Sequence, residues 1–251
     1  MQQCNYGFFN VLMVYLVCNP NSKMKDINLK YIEDNYLEVE EIISIMNLTS
    51  DQLNQLIEEK LIPEASYVIN SEITINSSLS DNHKIISSKK YFPKSILQLI
   101  ADNILHHNPE KFKKDFRENL LFNLKNHNYK TFAYGNVFDE NGEINLIKAD
   151  KALEEEWNYF CKGIYGICTL ESNEEAIIEK EIAIKRILGF IENKAGTITQ
   201  EERNQLKELN NVFNEYTSNF APYQRDLSSR GKYMDKLLKE FSLEELIKKY
   251  D

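Results

Sequence analysis

Two short segments hold the side chains best suited to chemistry. Trp157 to Cys168 (WNYFCKGIYGIC) places the only tryptophan with two tyrosines, two glycines and two cysteines. Trp157 and Tyr165 are of a type that walls a pocket, and Gly163 and Gly166 let backbone approach a ligand closely. A tight core corner uses the same residues. In Phe220 to Lys232 (FAPYQRDLSSRGK), Arg225 and Arg230 flank Asp226 and the pair Ser228-Ser229. Two guanidiniums with hydroxyls near a helix start suit an anion such as phosphate or carboxylate. An Arg–Asp pair with serine caps, tying the last helix to the body, is the alternative. Trp157, Tyr165, Arg225 and Arg230 are therefore the expected ligand-binding residues, rings for packing and guanidiniums for an anionic moiety.

The rest of the chain offers little catalytic equipment. The histidines are His83, His106, His107 and His127. Neighbouring helical residues point about 100° apart, so His106-His107 does not chelate one ion from a helix. Beside Asn108-Pro109 the pair reads as a helix end, where histidine suits the macrodipole. No HExxH, GxSxG, Walker loop or GxGxxG occurs, and Glu154-Glu155-Glu156 reads as a solvated face. Cys4, Cys18, Cys161 and Cys168 show no CxxC spacing, as expected for reduced thiols. No catalytic residue, cofactor or metal is expected. A tailoring enzyme without a signature is a rival, and it would draw on Cys168, His106, His107 or Lys180.

The elements that must position these residues are mostly helical. With only 8 Gly and 5 Pro and 42% hydrophobic residues, long helices around a proper core are favoured over a strand-rich sandwich. Asn28–Asn35 reads as a helix. Leu37, Val39, Ile42, Ile43, Ile45 and Met46 form one apolar helical face, and Leu53, Leu56, Ile57 and Leu61 form a second. Thr49 with Gln52 is a capping box between them. Helix, turn, helix and an extended exit through Ile62–Ile69 outline a helix-turn-helix domain. Ser66–Ile75 reads as a strand or hairpin, and the Ser-, Asn- and Asp-rich 77–82 stretch as a loop and domain boundary. Helices follow from near Pro93 to before His106 and from Pro109 to about Lys125, with a hairpin turn at Asn141-Gly142. Ser172 with Glu175, Thr199 with Glu202 and Ser242 with Glu245 read as capping boxes. Gly196, after Asn193-Lys194, is a helix stop, and Pro222 ends the helix before it.

Charge decides against nucleic acid. The net charge is −9. Met24–Glu64 carries ten acidic residues against three lysines. The second helix exposes Asp51, Gln52, Asn54, Gln55, Glu58 and Glu59, with only Lys60 as a cation, whereas DNA readers neutralise phosphates and read guanine with Lys and Arg. A DNA-binding regulator is an alternative that DNA's own charge opposes. Lys84–Lys130 is basic, with nine Lys and one Arg against four acids, and aromatics are interleaved. That pattern suits single-stranded nucleic acid, or an amphipathic helix with aromatics in the core and lysines in water.

Tyr6–Val17 is apolar but lacks a positive flank, because no Lys or Arg precedes Lys23. It is too short to span a bilayer. Translation starting at Met24, or a leader packing on the body, are the two readings. A cytoplasmic location is expected, with no membrane partner; the oligomeric state is open.

Three stretches carry a resemblance: IPEASYVI at Ile62–Ile69, W-x5-GIYGIC at Trp157–Cys168 and FAPYQRDLSSRGK at Phe220–Lys232. In this order the chain, from about Tyr31 to Leu237, resembles an uncharacterised bacterial family, domain of unknown function 6058, described as natural-product-biosynthesis proteins. The label implies an association with biosynthetic gene clusters and assigns no reaction. The front part distantly resembles the helix-turn-helix of mercury-resistance-type regulators, without their basic surface.

The expected architecture is mainly α: a leader over residues 1–23, a helix-turn-helix-like domain over 24–78, and a helical domain with a minor β element over 79–251. The expected function is a non-catalytic accessory protein that binds a small molecule or a partner protein, in natural-product biosynthesis.

Overall fold

The computed structural model describes residues 26–193 and 196–250. The expected leader, Met24, Cys4, Cys18 and Lys194 lie outside the described residues. The chain is mainly helical with one small sheet. Asp26 starts helix α1 (Ile27–Asn35) by accepting from the Asn28 and Leu29 amides. Strand β1 (Tyr36–Glu38) leads into α2 (Val39–Met46), which stops at Asn47 in the left-handed region. Helix α3 (Ser50–Glu58) opens with the expected Thr49–Gln52 box, both of its hydrogen bonds present.

Strands β2 (Tyr67–Asn76) and β3 (Asn82–Pro93) form a long antiparallel hairpin in register from Tyr67↔Tyr91 to Asn76↔Asn82. β1 pairs with the base of β3, giving the order β1-β3-β2. Ser77–Asp81 is thus the tip of this hairpin, and the expected division between residues 78 and 79 falls there. The outer half of the ribbon is exposed on both faces, with Ile73, Ile75, Ile85 and Ile86 in solvent. The basic stretch after Lys84 accordingly begins as a strand, and only its later part is amphipathic helix.

Helices α4 (Ile96–His106) and α5 (Pro109–Asn126) follow, the second capped by Asn108 with Pro at its first turn. After the short α6 (Lys130–Tyr134), a turn with Gly142 at φ +77° brings Phe138 and Ile144 into a single bridge. Helix α7 (Leu146–Cys161), the short α8 (Tyr165–Cys168) and the long α9 (Glu174–Glu192) form the centre. Helix α10 (Gln200–Tyr216) carries the expected Thr199–Glu202 box. A single turn α11 (Pro222–Arg225), a π-helical segment Arg230–Asp235 and α12 (Lys236–Glu240) complete the described chain with a last 3-10 turn at Glu244–Leu246.

Two expected caps differ. Asn173, not Ser172, caps α9 by accepting from the Ala176 amide, because the helix starts one residue later. Ser242 sits at φ +54°, and the 3-10 turn after it has no side-chain cap. Pro222 opens α11 rather than closing the helix before it, which ends at Tyr216.

Among the described residues four apolar clusters hold the elements. Ile42, Leu53, Leu56, Leu61, Ile62 and Phe92 share one with Ile96 and Ile100 of α4, so the front helices and α4 bury a common core. Phe116, Leu120, Trp157, Phe160, Tyr165 and Ile177 belong to the central one. Each such ring or branched chain taken from water contributes about 1.5–3 kcal/mol before the entropy of ordering it.

Candidate functional site

Trp157 is buried among rings. Its centroid lies 5.3 Å from Phe116, 5.7 Å from Phe112 and 5.6 Å from Phe160, on which it stacks. Tyr165 lies in the same cluster, and its hydroxyl bonds the Glu156 carboxylate. Tyr134 Oη donates to the other Glu156 oxygen at 2.8 Å. Burial first, and then the nearby Glu181 carboxylate, raises the Glu156 pKa to about 7. Glu156 therefore leaves the solvated face expected for Glu154-Glu155-Glu156, because its turn of α7 points inward. Lys180 packs beside this group, over the Tyr165 ring at 5.3 Å and bonded to Glu181.

The arginines occupy a different cluster. Arg225 forms a bidentate pair with Asp235 (Nε–Oδ2 2.7 Å, Nη2–Oδ1 3.2 Å) and donates to the Lys248 carbonyl at 2.7 Å. Arg230 is fully buried, donating to the Ser218 carbonyl at 2.9 Å, to Thr217 Oγ1 at 2.6 Å and to Asn214 Oδ1 at 2.6 Å. Burial lowers its pKa to about 10, which still leaves it charged near neutrality. The guanidiniums face the Tyr250 and Phe213 rings, not Trp157 and Tyr165. A Cβ on Gly231 would overlap the Arg225 carbonyl, which explains the glycine after the second arginine: the chain folds back on its own first turn.

The three stretches that carry the family resemblance meet in space. The Glu64 amide donates to the Cys161 carbonyl at 2.8 Å, and Ser66 Oγ to the Gly163 carbonyl at 3.0 Å. Gly163 has φ +70°, and a side chain there would overlap the Glu64 carbonyl, so glycine is required twice over. Tyr67 Oη donates to Gln224 Oε1 at 2.7 Å, and Tyr36 Oη to the Gly166 carbonyl at 3.0 Å. Burial pushes the Tyr31 phenol up to about 12 and those of Tyr36 and Tyr67 further. These contacts describe a structural joint with its polar groups already paired.

Open space lies elsewhere. A cavity of about 390 Å³ runs along α4 and is closed by the start of α5, by Phe160 of α7 and by Glu171–Glu174. Phe112, Phe116 and Phe160 form its apolar floor with Ile96 and Leu99; Trp157 packs directly against the three rings. Ser95 and Ser172 line it, and both Oγ atoms are buried without a hydrogen-bond partner. A buried hydroxyl left unpaired costs about 1–3 kcal/mol; both Oγ atoms are closed to a water-sized probe, so they lie within the cavity wall and not on its open surface. Around the mouth stand Asp102, His106, Lys111, Asp115, Glu171 and Glu174. Of the sequence-level candidates, only His106 lines this cavity, whereas His107 Nε2 meets Glu59 at 2.8 Å. Nothing in residue type marked Ser95 or Ser172, which are ordinary loop and helix-start serines.

Nucleophilic chemistry finds no support at the cysteines. Cys161 and Cys168 are free thiols, and burial pushes the first up to about 11 and also raises the second, away from the reactive thiolate. Among the described residues no group of three or more His, Cys, Asp or Glu is placed to hold a metal ion. No helix of the described residues is long and apolar enough to cross a membrane.

The profile of the family of unknown function DUF6058 matches residues 112–242, just over half of the chain. The matched region includes the tryptophan and arginine stretches and starts after Ile62–Ile69. No curated protein and no solved structure matches the chain.

Proposed function

Because the chain belongs to the family of unknown function DUF6058, its role has to follow from its own geometry, and we propose that it is a non-catalytic accessory protein of natural-product biosynthesis. It holds a small molecule in the cavity along α4. The observation that carries this reading is the cavity itself, about 390 Å³ between α4, the start of α5 and Glu171–Glu174, with Ile96, Leu99 and Phe112 beside polar side chains. Small-molecule sites are of this kind: mostly apolar, about 300–1,000 Å³, with a few polar groups that fix orientation. The free Cys161 and Cys168 thiols fit a cytoplasmic setting.

The DNA-binding alternative gains nothing from α3. Its exposed side chains are Asp51, Gln52, Asn54, Gln55 and Glu58: the two carboxylates repel phosphates and the three neutral amides do not neutralise them. The enzyme alternative has its most perturbed carboxyl, Glu156, buried with both oxygens engaged by tyrosines.

Native mass spectrometry of protein isolated from the cells that make it tests the proposal. A co-purifying small molecule is expected, and it should be absent from Ser172→Phe, which fills the cavity from the loop. Protein that arrives without a bound molecule, or a bound mass that Ser172→Phe retains, overturns it.

A further inference from the structure

We infer that the ligand of this cavity is an amine, a cation carried on an apolar and preferably aromatic body; the inference rests on the cavity being the binding site. Four carboxylates line it, those of Asp102, Asp115, Glu171 and Glu174, against the His106 imidazole and one permanent cation, Lys111. That cation is already used, because Lys111 Nζ lies 2.5 Å from Asp115 Oδ2. Asp102 accepts only from the neutral Gln98 amide at 2.9 Å, and Glu174 only from Asn119 at 3.2 Å. Three carboxylates at the mouth are thus without a cationic partner among the described residues.

Helix dipoles do not reverse this balance. α4 lies along the cavity, so its two ends offset each other. α5 and α9 begin there with about half a positive charge each, but Asn108 and Asn173 already accept from their first-turn amides. Glu174 stands in the first turn of α9 itself. The remaining field is negative.

The apolar floor selects for the same ligand. The Phe112 and Phe160 centroids are 6.0 Å apart, and those of Phe116 and Phe160 4.8 Å apart. Phe116 and Phe160 are almost wholly covered by each other and by Trp157, so the partly buried Phe112 and Leu99 offer the apolar surface for an aromatic or alkyl body. A carboxylate or phosphate ligand would meet four like charges and would have to displace Asp115 to reach Lys111.

Three probes with one body separate the classes: 4-phenylbutylamine, 4-phenylbutanol and 4-phenylbutyrate, titrated into the full chain by calorimetry at pH 7 and low salt. The amine should bind about tenfold more tightly than the alcohol, and the carboxylate most weakly. In Asp102→Asn/Glu174→Gln the amine should fall to the alcohol's affinity while the alcohol stays unchanged. Equal binding of all three, a preference for the carboxylate, or no binding of the amine overturns the amine assignment. The cavity itself is judged separately: Ser172→Phe and Leu99→Trp should each abolish whatever binding the wild type shows. If they do so while the amine has no advantage, the site stands and the ligand class falls. If binding persists in both folded variants, the site falls as well.

Discussion

In the Arg225–Asp235 network every guanidinium nitrogen meets a protein oxygen, whereas at the cavity along α4 two buried hydroxyls meet none. The first region has the residue types more often found at anion sites. The second has the unmet hydrogen-bonding capacity. The fully buried Arg230 guanidinium spends four of its five N–H donors on Ser218, Thr217 and Asn214, fastening the Arg230–Asp235 segment to the end of α10, while Arg225 holds the Lys248 carbonyl. A serine is a weak signal in sequence, and only packing shows that these two hydroxyls are buried without a partner. Satisfaction, more than residue type, separates structure from function here.

The largest effect that sharpens this contrast is expected at Arg230. Arg230→Ala leaves several buried neutral acceptors unpaired, at about 1–3 kcal/mol each, and should destabilise the fold more than any other change considered, read from denaturant unfolding. The milder Arg225→Lys loses the bidentate geometry with Asp235 but should leave ligand binding unchanged. A loss of binding without a loss of stability in that variant would return the arginines to the site.

Glu156 gives the next effect, and its sign is fixed. The folded carboxyl holds its proton more tightly than the unfolded one, so its favourable contribution is complete below about pH 4.5 and is lost as pH rises through about 7. The span corresponds to about 3 kcal/mol. Glu156→Gln keeps neutral oxygen and nitrogen at Tyr134 and Tyr165, so it should flatten the stability profile between pH 5 and 8. An unchanged slope would mean that Glu156 does not carry it.

The smallest effect is the most discriminating. Ser172→Ala removes a hydroxyl that bonds nothing, so stability should stay level or rise by up to about 1 kcal/mol. Ser228→Ala removes one that donates to the Arg225 carbonyl at 2.6 Å and accepts from Gly231, and should lose about 1 kcal/mol. Equal losses at both would show that Ser172 has a partner after all.

Much of the helical framework is legible in local chemistry. Thr49–Gln52, Thr199–Glu202 and Asn108-Pro109 mark starts that the structure keeps, because a cap is a contact between residues three apart. The three-residue strand Tyr36–Glu38 is not legible, since it exists only through its pairing with Tyr91–Pro93. The Ser77–Asp81 composition marks a loop but cannot say whether the flanking strands pair across it. Arg225 and Arg230 look identical in sequence whether their acceptor is a ligand or Asp235. The cavity was invisible for the same reason: Ser95, Leu99, Phe160 and Ser172 come from distant stretches, and only packing brings them to one wall.

The single tryptophan offers the most direct measurement. Trp157 packs on Phe112, Phe116 and Phe160 immediately behind the cavity floor, so its emission reports what enters. Titration with the small-molecule fraction of the cells that make the protein should change that emission saturably in the wild type and in Arg225→Lys, and not in Ser172→Phe. A change that survives in Ser172→Phe, or that disappears only in Arg225→Lys, contradicts a ligand site along α4.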